Sequence, residues 1–202
     1  MSRIITIAHQ KGGVGKSTLS INLALCFNNQ LSVALVDSDL QGSLFDFKKE
    51  NSELHIFNEN DPDKIGALNY DLIIVDTPPY LSSGLPNLFL ISDYVLIPTK
   101  AGFYDVMAVR STLELVNEAK KVNTLLRCGV VMNMIKHRSG ITKEVKPLLK
   151  SLGAPLLNTM IYDRVSFARS PISGGVLLSD DERAKEEIYS LAEEIINSFL
   201  EN

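Results

Sequence analysis

The chain has 202 residues, a length that fits one α/β domain. Apolar residues make up 45% and charged residues 22%, which excludes a largely disordered chain. Lys and Arg number 20 against 24 Asp and Glu; the formal net charge of −4 argues against a uniformly basic nucleic-acid binder and leaves room for a local basic patch. Apolar runs such as Leu72–Val75 and Tyr94–Ile97 are far too short to span a bilayer. Met1-Ser2-Arg3 leads straight into a strand-like run, without a signal-peptide pattern. Cys26 and Cys128 give neither a disulfide framework nor zinc spacing, and read as small core residues in a reducing compartment. A cytoplasmic protein of one domain, residues 1–202, is expected.

In chain order, the first strand is expected at Ile4–Ala8. His9-Gln10-Lys11-Gly12-Gly13-Val14-Gly15-Lys16-Ser17-Thr18 follows, and then a helix over Lys16–Asn28. A second strand, Val33–Asp37, runs into Asp37-Ser38-Asp39-Leu40-Gln41-Gly42-Ser43. Phe45–Leu68 is the least readable stretch. The third strand, Leu72–Asp76, precedes Thr77-Pro78-Pro79. Then come a helix at Leu85–Ser92, a strand at Tyr94–Pro98, a helix at Tyr104–Lys121 and a strand at Cys128–Asn133. A helix at Thr142–Leu152, a strand at Leu156–Ile161, a Pro/Gly loop at Ser170–Val176 and a last helix at Asp181–Leu200 complete the chain. The strand runs are apolar almost throughout, as in strands buried on both faces of a parallel sheet. Strand and helix in alternation predict a doubly wound, mostly parallel α/β sheet flanked by helices, with its ligand beyond the carboxyl ends of the strands.

The glycine-rich segment carries the strongest chemical signal. Gly12, Gly13 and Gly15 let main-chain N–H groups approach a phosphate, and the helix that follows adds its free N–H groups. Lys16 can reach the β- and γ-phosphates, and Ser17 can place a hydroxyl on Mg²⁺. The general pattern G-x-x-x-x-G-K-[ST] would put glycine at position 10; Gln10 stands there and a second lysine, Lys11, follows. Four apolar residues before Asp76 match a Walker B strand, whose carboxylate holds Mg²⁺ through water. Singly, each Asp also fits a turn or a cap. Together Asp37, Asp39 and Asp76 supply the hard oxygen surroundings that Mg²⁺ needs.

The loop K-G-G-x-G-K-S resembles the deviant Walker A motif of the ParA/MinD family of ATPases, and Asp37-Ser38-Asp39-Leu40-Gln41 is similar to that family's D-x-D-x-Q switch segment. The resemblance spans nearly the whole chain. It is closest to the short ParA type (ParF-like), which lacks an N-terminal DNA-reading domain; only ten residues precede Lys11. It implies ATP and Mg²⁺ as cofactors and an ATP-dependent sandwich homodimer. In that dimer Lys11 reaches the nucleotide of the other subunit, where a cation offsets charge developing on the transferred phosphoryl group. The implied catalytic residues are Lys11, Lys16 and Asp39, the last positioning the attacking water. Ser17, Asp37 and Asp76 are the implied metal group. Lys11, Gly12, Gly13, Val14, Gly15, Lys16, Ser17 and Thr18 would hold the nucleotide. Asn133 could hydrogen-bond adenine, and Ser170–Val176, with Pro171, resembles the loop that covers the base. His9 departs from the small polar residue that relatives often carry and is expected to be structural.

The resemblance leaves the cargo open. The implied ATPase, weak alone and stimulated by a ParB-type or adaptor protein, would partition plasmid or chromosomal DNA, binding the nucleoid without sequence preference. Alternatively it positions a protein cargo such as a chemoreceptor cluster or a compartment. A MinD-like membrane switch is disfavoured, since the tail from Glu193 to Asn202 is acidic and anionic lipid would repel it. Ile188, Leu191, Ile195, Ile196 and Phe199 of the last helix are expected to pack on the sheet. For DNA, the candidate basic groups are Lys136-His137-Arg138, then Lys143, Lys146 and Lys150 on one helix face, then Arg164, Arg169, Arg183 and Lys185.

Overall fold

Each unbroken apolar run forms one strand of a parallel sheet, and neighbouring side chains along a run feed cores on opposite faces. The computed structural model describes residues 2–39, 44, 54–79, 84–137 and 140–200. The strands are β1 (Arg3–Ile7), β2 (Val33–Asp37), β3 (His55–Asn58), β4 (Leu72–Asp76), β5 (Tyr94–Thr99), β6 (Arg127–Ile135) and β7 (Leu156–Tyr162). The helices are α1 (Lys16–Asn28), α2 (Pro62–Gly66), α3 (Leu85–Ile91), α4 (Phe103–Lys120), α5 (Ile141–Ser151), α6 (Val165–Ser173) and α7 (Glu182–Leu200), with a single 3₁₀ turn at Val176–Leu178. Sheet order is β3-β2-β4-β1-β5-β6-β7, every pairing parallel. β1 is central. The chain builds outward from it to the β3 edge, returns through β4, and crosses β1 to build the other half. The loop after β1 therefore lies where the winding reverses, the position at which such sheets bind ligands.

Ile5, Ile7, Leu35, Ile74, Tyr94 and Leu96 face one core, which they share with α1 and α7. Ala8, Val95, Ile97, Val130 and Met132 face the other, covered by α3, α4 and α5. Ile4, Ala34, Val36, Ile73 and Val75 pack near α2 and α3. This division explains why the sequence does not alternate: both faces are dry. Cys26 and Cys128 lie half-buried at the margins of the two larger cores, and burial raises both thiol pKa values, that of Cys26 to about 11. No helix among the described residues is long and apolar enough to cross a membrane.

The structure departs from the sequence expectation in three elements. β3 and α2 lie inside the stretch that was unreadable; positions 45–53 of it, with Phe47, Lys48 and Lys49, fall outside the described residues. The third is α6, a helix where Ser170–Val176 was expected to be a loop. Pro171 stands inside it and has no N–H for the Phe167 carbonyl. The Ser170 hydroxyl donates to that carbonyl at 2.9 Å instead. The helix ends at Gly174, whose φ of 79° is a left-handed cap. A smaller correction concerns Ile196, which is exposed, while Ile188, Leu191 and Ile195 are buried and Phe199 packs edge-on against Tyr94.

Two polar devices tie these layers together. At the β7 edge, Glu194 accepts the backbone N–H groups of Asn158 (2.7 Å) and Thr159 (3.0 Å), and Glu187 accepts that of Tyr162 (2.9 Å). Two carboxylates of α7 thus occupy the outward donors of an edge strand. Inside, the buried Asn22 amide of α1 donates to the Thr18 carbonyl (2.7 Å) and to Ser170 Oγ (2.8 Å), and accepts the Val176 N–H (2.8 Å). Truncating it would leave the Val176 donor buried without a partner. Asn22→Ala is expected to lower the unfolding free energy by about 2–3 kcal/mol, read from urea titration of the purified protein.

Candidate nucleotide site

The site grows from the loop between β1 and α1. Gly15, the residue before α1, has φ 90°, a left-handed conformation that side chains resist, and a Cβ there would stand 2.3 Å from Asn133 Nδ2. No side chain caps α1, so its first N–H groups stay open toward the loop. Asn133 donates through Nδ2 to the Val14 carbonyl at 2.7 Å and so braces the loop from β6. Lys16 is buried, and its ammonium donates to the Lys11 carbonyl at 3.2 Å. Burial lowers the Lys16 pKa, against the opposing pull of Asp76 and Asp39. A cavity of about 350 Å³ opens here, lined by the loop glycines, Lys16, Ser17, Thr18, Asp39 and Thr77. Residues predicted from two separate segments of the sequence thus meet on one space.

The acidic strand ends have distinct surroundings. Asp76 is buried at the end of β4, level with Asp37 in the register of β2. Burial pushes its carboxyl up to about 7; hydrogen bonds from Ser17 and Ser20 oppose this, while the neighbouring Asp37 adds to it. Ser20 Oγ lies 3.1 Å from Asp76 Oδ1. Asp37 accepts the Asp39 N–H (3.0 Å) and the Leu44 N–H (2.9 Å), so its carboxylate organises the segment that carries Asp39. Leu40, Gln41, Gly42 and Ser43 of that segment fall outside the described residues. The donor set fits a nucleoside triphosphate with Mg²⁺. A buried carboxylate beside a serine hydroxyl suits a hard cation, and a buried ammonium with open amides suits phosphate. Among the described residues no three His, Cys, Asp or Glu side chains form a metal cage.

Adjoining the larger cavity, a small cavity of about 70 Å³ is lined by Thr18, Asn133, Met134, Asp163, Phe167 and neighbours. Asn133 lies inside β6, which continues to Ile135, rather than at its end. Met134 has φ 54° at a register shift between β6 and β7, and its side chain lines both cavities. Pro171 does not line this space; it sits farther along α6, beyond Phe167 and Ala168. Met134 and Asp163 carry no sequence signal for this position, since a left-handed residue in a strand is visible only in the backbone.

Of the basic groups, Lys143 and Lys150 are exposed on α5 and Lys146 is half-buried. Lys136, Arg169 and Arg183 are exposed, and His137 stacks on Tyr162 with 4.3 Å between ring centres. Arg164 is spoken for: its guanidinium donates twice to Glu187 (2.7 and 2.9 Å). Lys185 pairs with Glu182 at 2.8 Å. Arg138 falls outside the described residues.

A glycine loop between a central parallel strand and a buried helix, with acid-ended strands beside it, defines a P-loop nucleotide-binding domain. The chain belongs to the CobQ/CobB/MinD/ParA nucleotide binding domain family, whose match covers residues 5–177. It is a ParA/MinD-type ATPase. It is 28% identical over 208 residues to the maintenance of carboxysome distribution protein A of Halothiobacillus neapolitanus, covering 96% of each chain. It is 27% identical over 249 residues to the sporulation initiation inhibitor protein Soj of Bacillus subtilis, covering 96% of this chain and 98% of Soj. Among solved structures, a Borrelia burgdorferi B31 protein of the plasmid-partition type, bound to AMPPNP, shares the fold with a TM-score of 0.81 at 23% identity, covering 98% of this chain and 99% of that one.

His9 proves to be part of the loop's frame. It is 1% exposed, and its Nδ1 accepts the Lys11 backbone N–H at 3.0 Å. That bond requires a neutral ring, and burial lowers its pKa to about 4, with Asp105 opposing. A histidine near 6.5 when unfolded and about 4 when folded binds its proton better unfolded. Its contribution to stability is therefore full above pH 6.5 and is lost as pH falls toward 4. Asn at position 9 can accept the same N–H without titrating. Between pH 7 and pH 4.5 the wild-type chain should lose about 2 kcal/mol more stability than His9→Asn, as measured by urea unfolding across that range.

Proposed function

We propose that this chain is an ATP-dependent dimerising ATPase that binds DNA without sequence preference in its ATP-bound dimer and is released by partner-stimulated hydrolysis. The observation that carries the reading is the gathering of Lys16, Ser17, Asp39 and the loop glycines on one cavity, with Asp76 beside Ser17 and the Lys11 carbonyl on the Lys16 ammonium. Lys16 and the loop amides hold the β- and γ-phosphates. Ser17 and Asp76 are the groups that would hold Mg²⁺, which supplies charge neutralisation between the phosphates when bound. Asp39 orients the attacking water, and Lys11 acts on the nucleotide of a second copy. Lys136, Lys143 and Lys150 supply the phosphate-binding face for DNA, while Arg164 is excluded from it by its ion pair with Glu187.

For cargo, plasmid or chromosomal DNA is the first reading and a protein compartment the second. The second is favoured by near end-to-end similarity to a carboxysome-distribution protein. Both readings use the same nucleoid surface and an adaptor of ParB type or its equivalent.

Asp39→Ala should trap the ATP dimer, with hydrolysis lost and DNA binding retained. A gel shift with random-sequence duplex should show binding with ATP, none with ADP, and loss on raising salt. Lys143→Ala with Lys150→Ala should weaken that binding by about tenfold or more at 0.1 M salt. Salt-insensitive binding, or an Asp39→Ala protein that still turns over ATP, contradicts the assignment.

A further inference from the structure

Lys11 is held at both ends within its own subunit. Its backbone N–H is bound by His9 Nδ1 at 3.0 Å, and its ammonium meets Asp105 Oδ1 at 2.8 Å. The Tyr104 ring lies 6.0 Å from the same ammonium. Asp105 sits in the first turn of α4, where the helix dipole favours a carboxylate. Its second oxygen is seated against Gly102: a Cβ on that residue would stand 2.4 Å from Asp105 Oδ2. The lysine side chain is 40% exposed against 19% for the aspartate, so the ammonium is the more accessible member.

We propose that the Lys11–Asp105 ion pair is an intrasubunit latch: it withholds Lys11 until a phosphate oxygen replaces Asp105 as its partner. This rests on the reading that Lys11 acts on the nucleotide of a second copy. A half-exposed pair is weak and screened by salt. It favours the closed arrangement only modestly when no phosphate is near, and so yields to a more highly charged competitor. Asp105 is thus a positioning residue that sets the ATP concentration at which the chain dimerises. An aspartate in a first helical turn is ordinary as a cap; the reach of Lys11 across 94 positions of sequence to meet it is not.

The test compares the wild-type chain, Asp105→Asn, Lys11→Ala and the double variant by light scattering across a Mg-ATP titration. Asp105→Asn should reach half-maximal dimerisation at about two- to fivefold lower ATP, and the double variant should behave as Lys11→Ala. An unchanged or higher ATP requirement for a folded Asp105→Asn overturns the latch while Lys11→Ala still fails to dimerise. A Lys11→Ala chain that dimerises normally overturns the underlying role of Lys11. Should Asp105→Asn not fold, Asp105→Ser keeps a first-turn hydrogen-bonding group without the charge and carries the same expectation. Acetylation rates by mass spectrometry give a reading without ATP. In nucleotide-free wild type Lys11 should react more slowly than Lys143, and in Asp105→Asn as fast. Equal rates in the wild type also overturn the latch.

Discussion

The Lys16 ammonium and the Asp76 carboxylate are both withdrawn from water at the carboxyl ends of the central strands. Neither charge is comfortable there, as burial lowers the lysine's pKa and raises the acid's to about 7. The surrounding structure makes the pair tolerable without neutralising either group outright. Ser20 reaches the carboxylate, the Lys11 carbonyl takes the ammonium, and Asp37 is kept occupied by two backbone N–H groups. Such an arrangement is tuned for a ligand that brings both signs at once, negative phosphate for the lysine and a cation for the aspartate.

Rigidity around this pair comes from polar contacts that cross between elements. Asn133 braces the loop from β6, His9 fixes the loop's entry, and Asn22 fastens α1 to α6 and the turn after it. All three are buried. Each lies where a loop would otherwise leave main-chain groups unpaired in a dry interior, and each removes a freedom that would blur the phosphate site.

Much of this was legible before any coordinates. β2, β4 and α1 have the bounds that their apolar runs and flanking residues predict, because a strand buried on both faces leaves an unbroken hydrophobic run. β3 escaped because His55-Ile56-Phe57-Asn58 is short, polar at both ends and on the sheet edge. α6 escaped because Pro171 and Gly174-Gly175 read as breakers, and nothing in the sequence announces that Ser170 will stand in for the missing amide. The phosphate loop was legible because its chemistry is local. The partners of Lys11, Arg164 and Asn133 were not, since each is chosen by packing across the sheet rather than by spacing along the chain.

The carboxylates of Glu187 and Glu194 along β7 have a bearing on how the molecule can assemble. A parallel sheet has no internal rule for stopping; an open edge invites one more strand, from any chain that passes. Here that edge is closed by two side chains that mimic a neighbouring strand's carbonyls and carry charge that a real strand would have to displace. Growth by sheet extension is blocked at that flank. The loop face is different: there Phe103 and Tyr104 stand exposed, with the Tyr104 ring near the Lys11 ammonium. The sheet's flank and the nucleotide loop are thereby separate surfaces, so a partner that docks on the loop face on the proposed reading need not contend with strand addition at β7.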